Sequence, residues 1–206
     1  MTEGSEPPRR TLKQVRILLW LLVALAGVGT AGLILWPRTT VPAAVQQPAS
    51  FGGSFTLVGG DGKPFSSAAL AGKPYAIYFG FTRCGDVCPT TLARLTRLRD
   101  QAGGRDALAI VFVTIDPAHD GPKEVGQYAT LFNAPIIGLT GSSAQIGQVK
   151  KQYGIFAQPS AHPEAGMEME HTATVLLFDH EGKLAGTIAT DETDEAALAK
   201  LKRLTA

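Results

Sequence analysis

The chain has 206 residues, 45% of them hydrophobic and 18% charged, a balance that suits a globular domain with appendages and excludes a disordered chain. With 19 Lys+Arg against 18 Asp+Glu there is no surplus of positive charge for phosphate backbones, which excludes a general nucleic-acid role. Two cysteines exclude a four-thiolate zinc site.

Residues 1–16 carry Arg9, Arg10, Lys13 and Arg16, and residues 17–36 follow with no charge and one hydroxyl, Thr30. At ~1.5 Å rise per residue that stretch reaches roughly 30 Å, one bilayer core. Only Arg38 lies just after it, so the basic flank stays in the cytoplasm and the rest of the chain crosses. The expectation is a single-pass transmembrane helix at 17–36 behind a cytoplasmic segment 1–16, in a bacterial inner membrane, with the C-terminal body facing the periplasm or cell exterior. A cleaved signal ending near Val41-Pro42-Ala43 would export the same body, but signal cores run about 7–15 residues, and the longer stretch favours a retained anchor. Residues 37–50, with Pro37, Pro42 and Pro48 among small and polar neighbours, read as an extended, flexible linker. Residues 51–206 form the exported domain.

Within that domain, Phe55 to Val58 reads as a strand entering a Gly59-Gly60-Asp61-Gly62 turn. Tyr75 to Phe81 is apolar on both alternating faces, the pattern of a buried central strand. A helix is expected from Pro89 on, with Leu92, Leu95 and Leu98 at helical spacing. Leu108 to Ile115 predicts a second buried strand ending at Asp116-Pro117, followed by helices over 122–132 and 142–153. A strand from Thr172 to Phe178, a turn at His180 to Lys183, a strand over 184–188 and a last helix capped by Asp191 complete the series. Strands alternating with helices make an α/β layered domain.

Cys84 and Cys88 lie on the loop between a buried strand and a helix start, where unpaired backbone N–H groups and the helix dipole favour a thiolate. Their spacing serves either a local disulfide in an oxidising compartment or two soft ligands to one metal ion. Two thiolates rarely complete a metal site, and the imidazoles available are His119, His162, His171 and His180. His180 sits in a turn, and His119 and His162 sit in proline-containing loops that suit a solvated ring. His171 opens a buried strand and projects from a rigid element. In Met167-Glu168-Met169-Glu170-His171 an extended backbone puts Met167, Met169 and His171 on one face. Thiolate, imidazole and thioether together suit copper, as Cu(I) or Cu(II), better than magnesium or calcium.

Three motifs carry a family resemblance: Phe81-Thr82-Arg83-Cys84-Gly85-Asp86-Val87-Cys88-Pro89, Val113-Thr114-Ile115-Asp116-Pro117-Ala118-His119-Asp120, and Glu170-His171-Thr172-Ala173. With them the exported body, from about Phe51 to Leu204, resembles the Sco/SenC family of membrane-tethered, thioredoxin-like copper proteins. The resemblance implies a thioredoxin-like fold with copper held by Cys84, Cys88 and His171 and supported by Asp116. It also implies a metallochaperone, not an enzyme, that delivers copper to the binuclear site of cytochrome c oxidase during assembly, its partner being the copper-site subunit or another apo cuproprotein. Two other functions stay open. One is a periplasmic thiol-disulfide oxidoreductase with Cys84 and Cys88 redox-active, keeping a cuproprotein's cysteines reduced; the other is a binding domain with a structural disulfide. The family usually has Pro at the position of Gly85 and Asp at that of Glu170; Gly85 loosens the loop, and Glu170 keeps the charge.

Overall fold

Tyr75–Gly80 (β3) is buried at every position, because both faces of this strand are covered. Parallel to it runs Ala109–Thr114 (β4), in the register Tyr75↔Ala109 to Gly80↔Thr114, and beyond β4 lies Ile137–Thr140 (β5), also parallel. Four antiparallel strands extend this core. Thr56–Gly59 (β1) and its hairpin partner Pro64–Ser66 (β2) join at β5, while Val175–Phe178 (β8) joins at β3 and carries Leu184–Ile188 (β9). The result is a seven-stranded sheet ordered β2-β1-β5-β4-β3-β8-β9. A separate antiparallel pair is formed by Ala157–Pro159 (β6) and Met169–His171 (β7).

This computed structural model describes residues 14–25, 51–161 and 169–206. The chain falls into two units, Met1–Gln46 and Gln47–Ala206, and the sheet belongs to the second. In the first, residues 14–25 form a helix (α1) with exposed side chains. Only the start of the apolar stretch 17–36 lies in α1; residues 26–36 and the expected linker 37–50 are outside the described residues. Among the described residues no helix is long and apolar enough to cross a membrane.

Alternation along β3 assigns the helices to its faces. Tyr78 and Gly80 share one face, where a Cβ built on Gly80 would meet Cys88 Sγ and Phe112, so Val87–Gly103 (α2) covers that side. Pro122–Thr130 (α3) covers it too, as Tyr128 meets the Phe112 ring at 5.0 Å. Phe79 points the other way and meets Tyr153, just past Ser143–Gln152 (α4), at 5.7 Å. Asp194–Thr205 (α5) packs on α2, where the Asp194 carboxylate accepts from both Arg94 and Arg97 at 2.7 Å.

Three sequence expectations need correction. Helix α2 begins at Val87, two residues before Pro89, so Cys88 lies inside its first turn. His171 does not open the buried strand expected over 172–178: it ends β7, and residues 172–174 form a break before β8. The last helix is capped by Thr193, whose hydroxyl accepts from the Ala196 amide, and not by Asp191. Strands β5 and β6 were not anticipated, being four and three residues long.

The hairpin after β1 lies against α3 through two glycines. A Cβ on Gly60 would stand 2.5 Å from Gly126 Cα, a backbone atom with little freedom to yield. Gly60→Ala is therefore expected to destabilise the chain by about 2 kcal/mol or more, the scale of overpacking in a closed contact. Chemical denaturation checks this, and an unchanged midpoint would show that the two backbones can separate without loss.

Candidate metal centre

The site lies at the carboxyl end of β3, where parallel α/β sheets leave a crevice for ligands. Gly80 closes the strand, and Phe81 to Asp86 then form the loop that carries Cys84. The loop is fastened by Asp120, which has none of its surface exposed. Asp120 accepts from the Thr82 amide at 2.9 Å, the Thr82 hydroxyl at 2.6 Å and the Thr114 hydroxyl at 2.6 Å. One buried carboxylate thus ties the loop entry to the end of β4. The Thr140 hydroxyl donates to the Asp120 carbonyl at 2.6 Å and adds β5 to the same knot.

Helix α2 starts without a side-chain cap from Asp86. In place of a capping oxygen, the sulfur of Cys84 accepts the Cys88 amide at 3.3 Å. The amides of a helix start are short of acceptors and carry the positive end of its dipole. Cys84 is half-buried and Cys88 fully buried. The hydrogen bond from Cys88, reinforced by backbone amides, outweighs desolvation and lowers the Cys84 thiol to about 4. Cys88 moves the opposite way: it holds the proton shared with Cys84, and burial disfavours its charge, so its pKa is raised. The reduced pair at neutral pH is one outward thiolate and one inward thiol.

His171 reaches the sulfurs from the other end of the chain. In the β6–β7 pair Ala157 stands opposite His171. Immediately beyond, the Thr172 amide donates to the Phe156 carbonyl at 3.0 Å and the Phe156 amide to the Thr172 hydroxyl at 3.2 Å. The Nδ1 of His171 lies 3.0 Å from the Thr172 carbonyl, which can only accept. Nδ1 therefore carries the proton of the neutral ring, and Nε2 presents its lone pair to Cys88 Sγ, 3.7 Å away. Phe81 and Tyr78 meet the imidazole edge-on, at 5.9 Å and 6.4 Å between centroids, and keep it from turning.

Cys84, Cys88 and His171 are the cluster among the described residues that could hold a metal, with donor atoms all within 4.8 Å of one another. Around an ion at about 2.0–2.3 Å such donors stand roughly 3.5–4 Å apart, so a contraction of roughly 1.3 Å at most would close the set. Two sulfurs and one imidazole suit copper well and magnesium or calcium poorly.

The other expected participants lie elsewhere. Asp116 is not among these donors: it takes Arg83 at 2.8 Å and His119 Nδ1 at 2.9 Å. Burial opposes its charge, but those two partners prevail and hold its carboxyl below the usual range. Asp116 thus acts on the loop through Arg83, the neighbour of Cys84, and His119 is an exposed ring, as expected, with its Nδ1 beside the Asp116 carboxylate. Met169 shares the face of His171 on β7 but packs, half-buried, against the hydrophobic core. Met167 and His162 lie outside the described residues. His180 stays in its turn. Asp120 and Tyr78 carry roles that the motifs alone do not reveal; the sequence signal for Asp120 is a carboxylate four positions after Asp116, and its threonine partners lie at 82 and 114.

Residues 43–206 match the SCO1/SenC family. The chain belongs to that family. Among its relatives is the mitochondrial protein SCO2 of Saccharomyces cerevisiae, 34% identical over 157 residues, which are 74% of this chain and 52% of the yeast protein. The SCO2-like protein of Rickettsia felis is 32% identical over 197 residues, 91% of this chain and 96% of its own. Among solved structures, Bradyrhizobium japonicum ScoI with copper bound superposes with a TM-score of 0.65 at 34% identity, covering 75% of this chain and 99% of that one. The chain spans about half the length of the yeast relative. The α/β architecture is the thioredoxin-like fold of these Sco proteins.

Two outcomes follow from this geometry. Asp120→Asn leaves at least one of three donors facing an amide nitrogen, and is expected to lower stability by about 2 kcal/mol; urea unfolding measures it, and a loss under a few tenths would mean that the knot is dispensable. In the reduced, metal-free chain, Cys84 should keep its thiolate as pH falls from 8 and lose it only near a pH of about 4. Alkylation rate followed against pH tests this; a midpoint in the ordinary thiol range would refute the hydrogen-bonded thiolate.

Proposed function

We propose that the chain is a membrane-anchored copper chaperone: Cys84, Cys88 and His171 hold one copper ion and pass it, by exchange of ligands, to an apo cuproprotein. The observation that carries this reading is the Nε2 lone pair of His171 aimed at Cys88 Sγ from 83 positions along the chain. A disulfide exchange site has no need of that imidazole. Copper in the ScoI structure supports copper as the cargo here. The name Sco attaches to cytochrome c oxidase assembly in a structural neighbour of lower identity, and the copper-site subunit of that oxidase is the recipient we infer.

The geometry suggests how cargo changes hands. Cys84 is the outward donor and a good nucleophile and ligand already at neutral pH, so it is the first to meet and the first to release the ion. Cys88 and His171 sit deeper and hold the ion while a recipient's ligand enters. Three protein donors leave a position for that ligand. Val87, next to Cys88, and Phe156, joined to Thr172, are exposed apolar side chains on which a partner can rest. The apolar stretch 17–36, with its basic N-terminal flank, supports an anchor that confines the search for a membrane-bound recipient and raises the effective concentration of a weak encounter.

A second reading has its own observation. A lowered Cys84 beside a raised Cys88 is also the asymmetry of a thiol-disulfide oxidoreductase. The Cys84 thiolate would attack a partner disulfide, releasing one partner thiolate. The Cys88 sulfur would then displace the other, leaving Cys84–Cys88 oxidised and the partner reduced.

Copper titrated into the reduced chain, followed by thiolate-to-copper charge-transfer absorption, separates the two. His171→Ala is expected to weaken binding by about a hundredfold or more while reduction of a test disulfide proceeds at the parental rate. A variant that binds copper like the parent would sink the chaperone reading and leave the oxidoreductase.

A further inference from the structure

Tyr78 has none of its surface exposed, and its hydroxyl makes no hydrogen bond of ordinary length. The polar groups beside that hydroxyl are the Cys88 thiol and the Thr91 hydroxyl. A buried polar group without a partner is unfavourable, and a phenylalanine would fill the same space without it. The surroundings are arranged around this ring and this sulfur. A Cβ on Gly80 would lie 2.9 Å from Cys88 Sγ and 3.1 Å from the edge of the Tyr78 ring, so the missing side chain lets both approach β3. The same ring meets His171 edge-on.

We propose that Tyr78 is a positioning residue of the metal centre, its hydroxyl kept unpaired in the metal-free chain and donating to the Cys88 sulfur once that sulfur is an anionic copper ligand. This rests on the copper site described above and adds the device that tunes it. As a thiol, Cys88 has little use for a donor. As a thiolate it is a buried charge, and hydrogen bonds to charged acceptors are the strong ones. The Phe81 amide is the other donor facing this sulfur, and an anionic sulfur accepts more than one. A hydrogen bond to a ligating thiolate withdraws electron density from it. Cu(II), which depends more on thiolate donation, is then stabilised less than Cu(I), and the sulfur-to-copper transition moves to higher energy.

The test uses the reduced full chain and Tyr78→Phe, with Tyr128→Phe as companion. Tyr128 is a second buried phenol with an unpartnered hydroxyl, set against Phe112 and Phe132 and in no hydrogen bond to either thiol. Each protein is loaded with Cu(II) for its charge-transfer spectrum, and Cu(I) and Cu(II) affinities are measured by competition. Tyr78→Phe is expected to move the band to lower energy and shift the affinity ratio roughly three- to tenfold toward Cu(II). Tyr128→Phe should leave both unchanged, and both variants should unfold thermally as cooperatively as the parent. A Tyr78→Phe spectrum and ratio equal to the parent's would overturn the assignment, as would equal shifts in the two variants, which would mark a packing effect. A parent chain with no charge-transfer band would instead fail the copper site itself, before the hydroxyl is in question.

Discussion

Eighty-three positions separate Cys88 from His171, yet the sulfur of one and the Nε2 of the other stand 3.7 Å apart. That approach is the constraint on which the rest depends, and each side of it is secured independently. Cys88 is fixed by the start of α2 and by the space left at Gly80. His171 is fixed by the β6–β7 pair, by the reciprocal bonds between Phe156 and Thr172, and by the Thr172 carbonyl that sets its tautomer. The inner half of the donor set is therefore preorganised, and little side-chain entropy remains to be lost when an ion arrives.

The outer half is built differently. Cys84 sits on a loop held at its entry by Asp120 and at its exit by the helix, with exposed Gly85 between the two cysteines. Its negative charge is stabilised first by the hydrogen bond from the Cys88 side chain and then by backbone amides of the adjacent helix start. Arg83, the nearest basic side chain in sequence, is engaged by Asp116. Such stabilisation survives salt better than a surface ion pair, because amide dipoles are fixed and close. It also explains why a buried carboxylate knot stands so near: without Asp120 the loop that aims Cys84 at the amide of Cys88 would have no fixed origin.

How much of this could be read from the chain follows from where the information resides. The buried strand β3, the strand β4 and the helix bearing Leu92, Leu95 and Leu98 are written in local apolar periodicity, and so are α3 and α4. Strands β5 and β6 are too short to show a period, and β6 gains its order only by pairing with β7. Reading His171 onto the start of the strand over 172–178 failed for the same reason: residues 169–178 look continuous as sequence, and the break at 172–174 exists because Thr172 turns to bond Phe156. The ligand chemistry was legible as residue type, with two thiols at a helix start and one imidazole near a strand. Roles that depend on tertiary neighbours were not. Nothing local separates Tyr78 from any aromatic of a buried strand, or Asp120 from any loop carboxylate.

The two chemistries open to the cysteine pair place opposite demands on one loop. A disulfide brings the sulfurs to about 2.05 Å, whereas two ligands of one ion stand roughly 3.5–4 Å apart. Cys88 cannot supply that difference, because it is buried beneath α2 and against Gly80. The movement falls to Cys84 and to the residues just after it, where Gly85 restricts the backbone least. A proline there would hold the loop nearer one of the two separations; glycine lowers the cost of passing between them. For the proposed carrier, a loop that yields at Gly85 would let the same two sulfurs close a disulfide or part to hold an ion beside His171, whose ring is held by the Thr172 carbonyl.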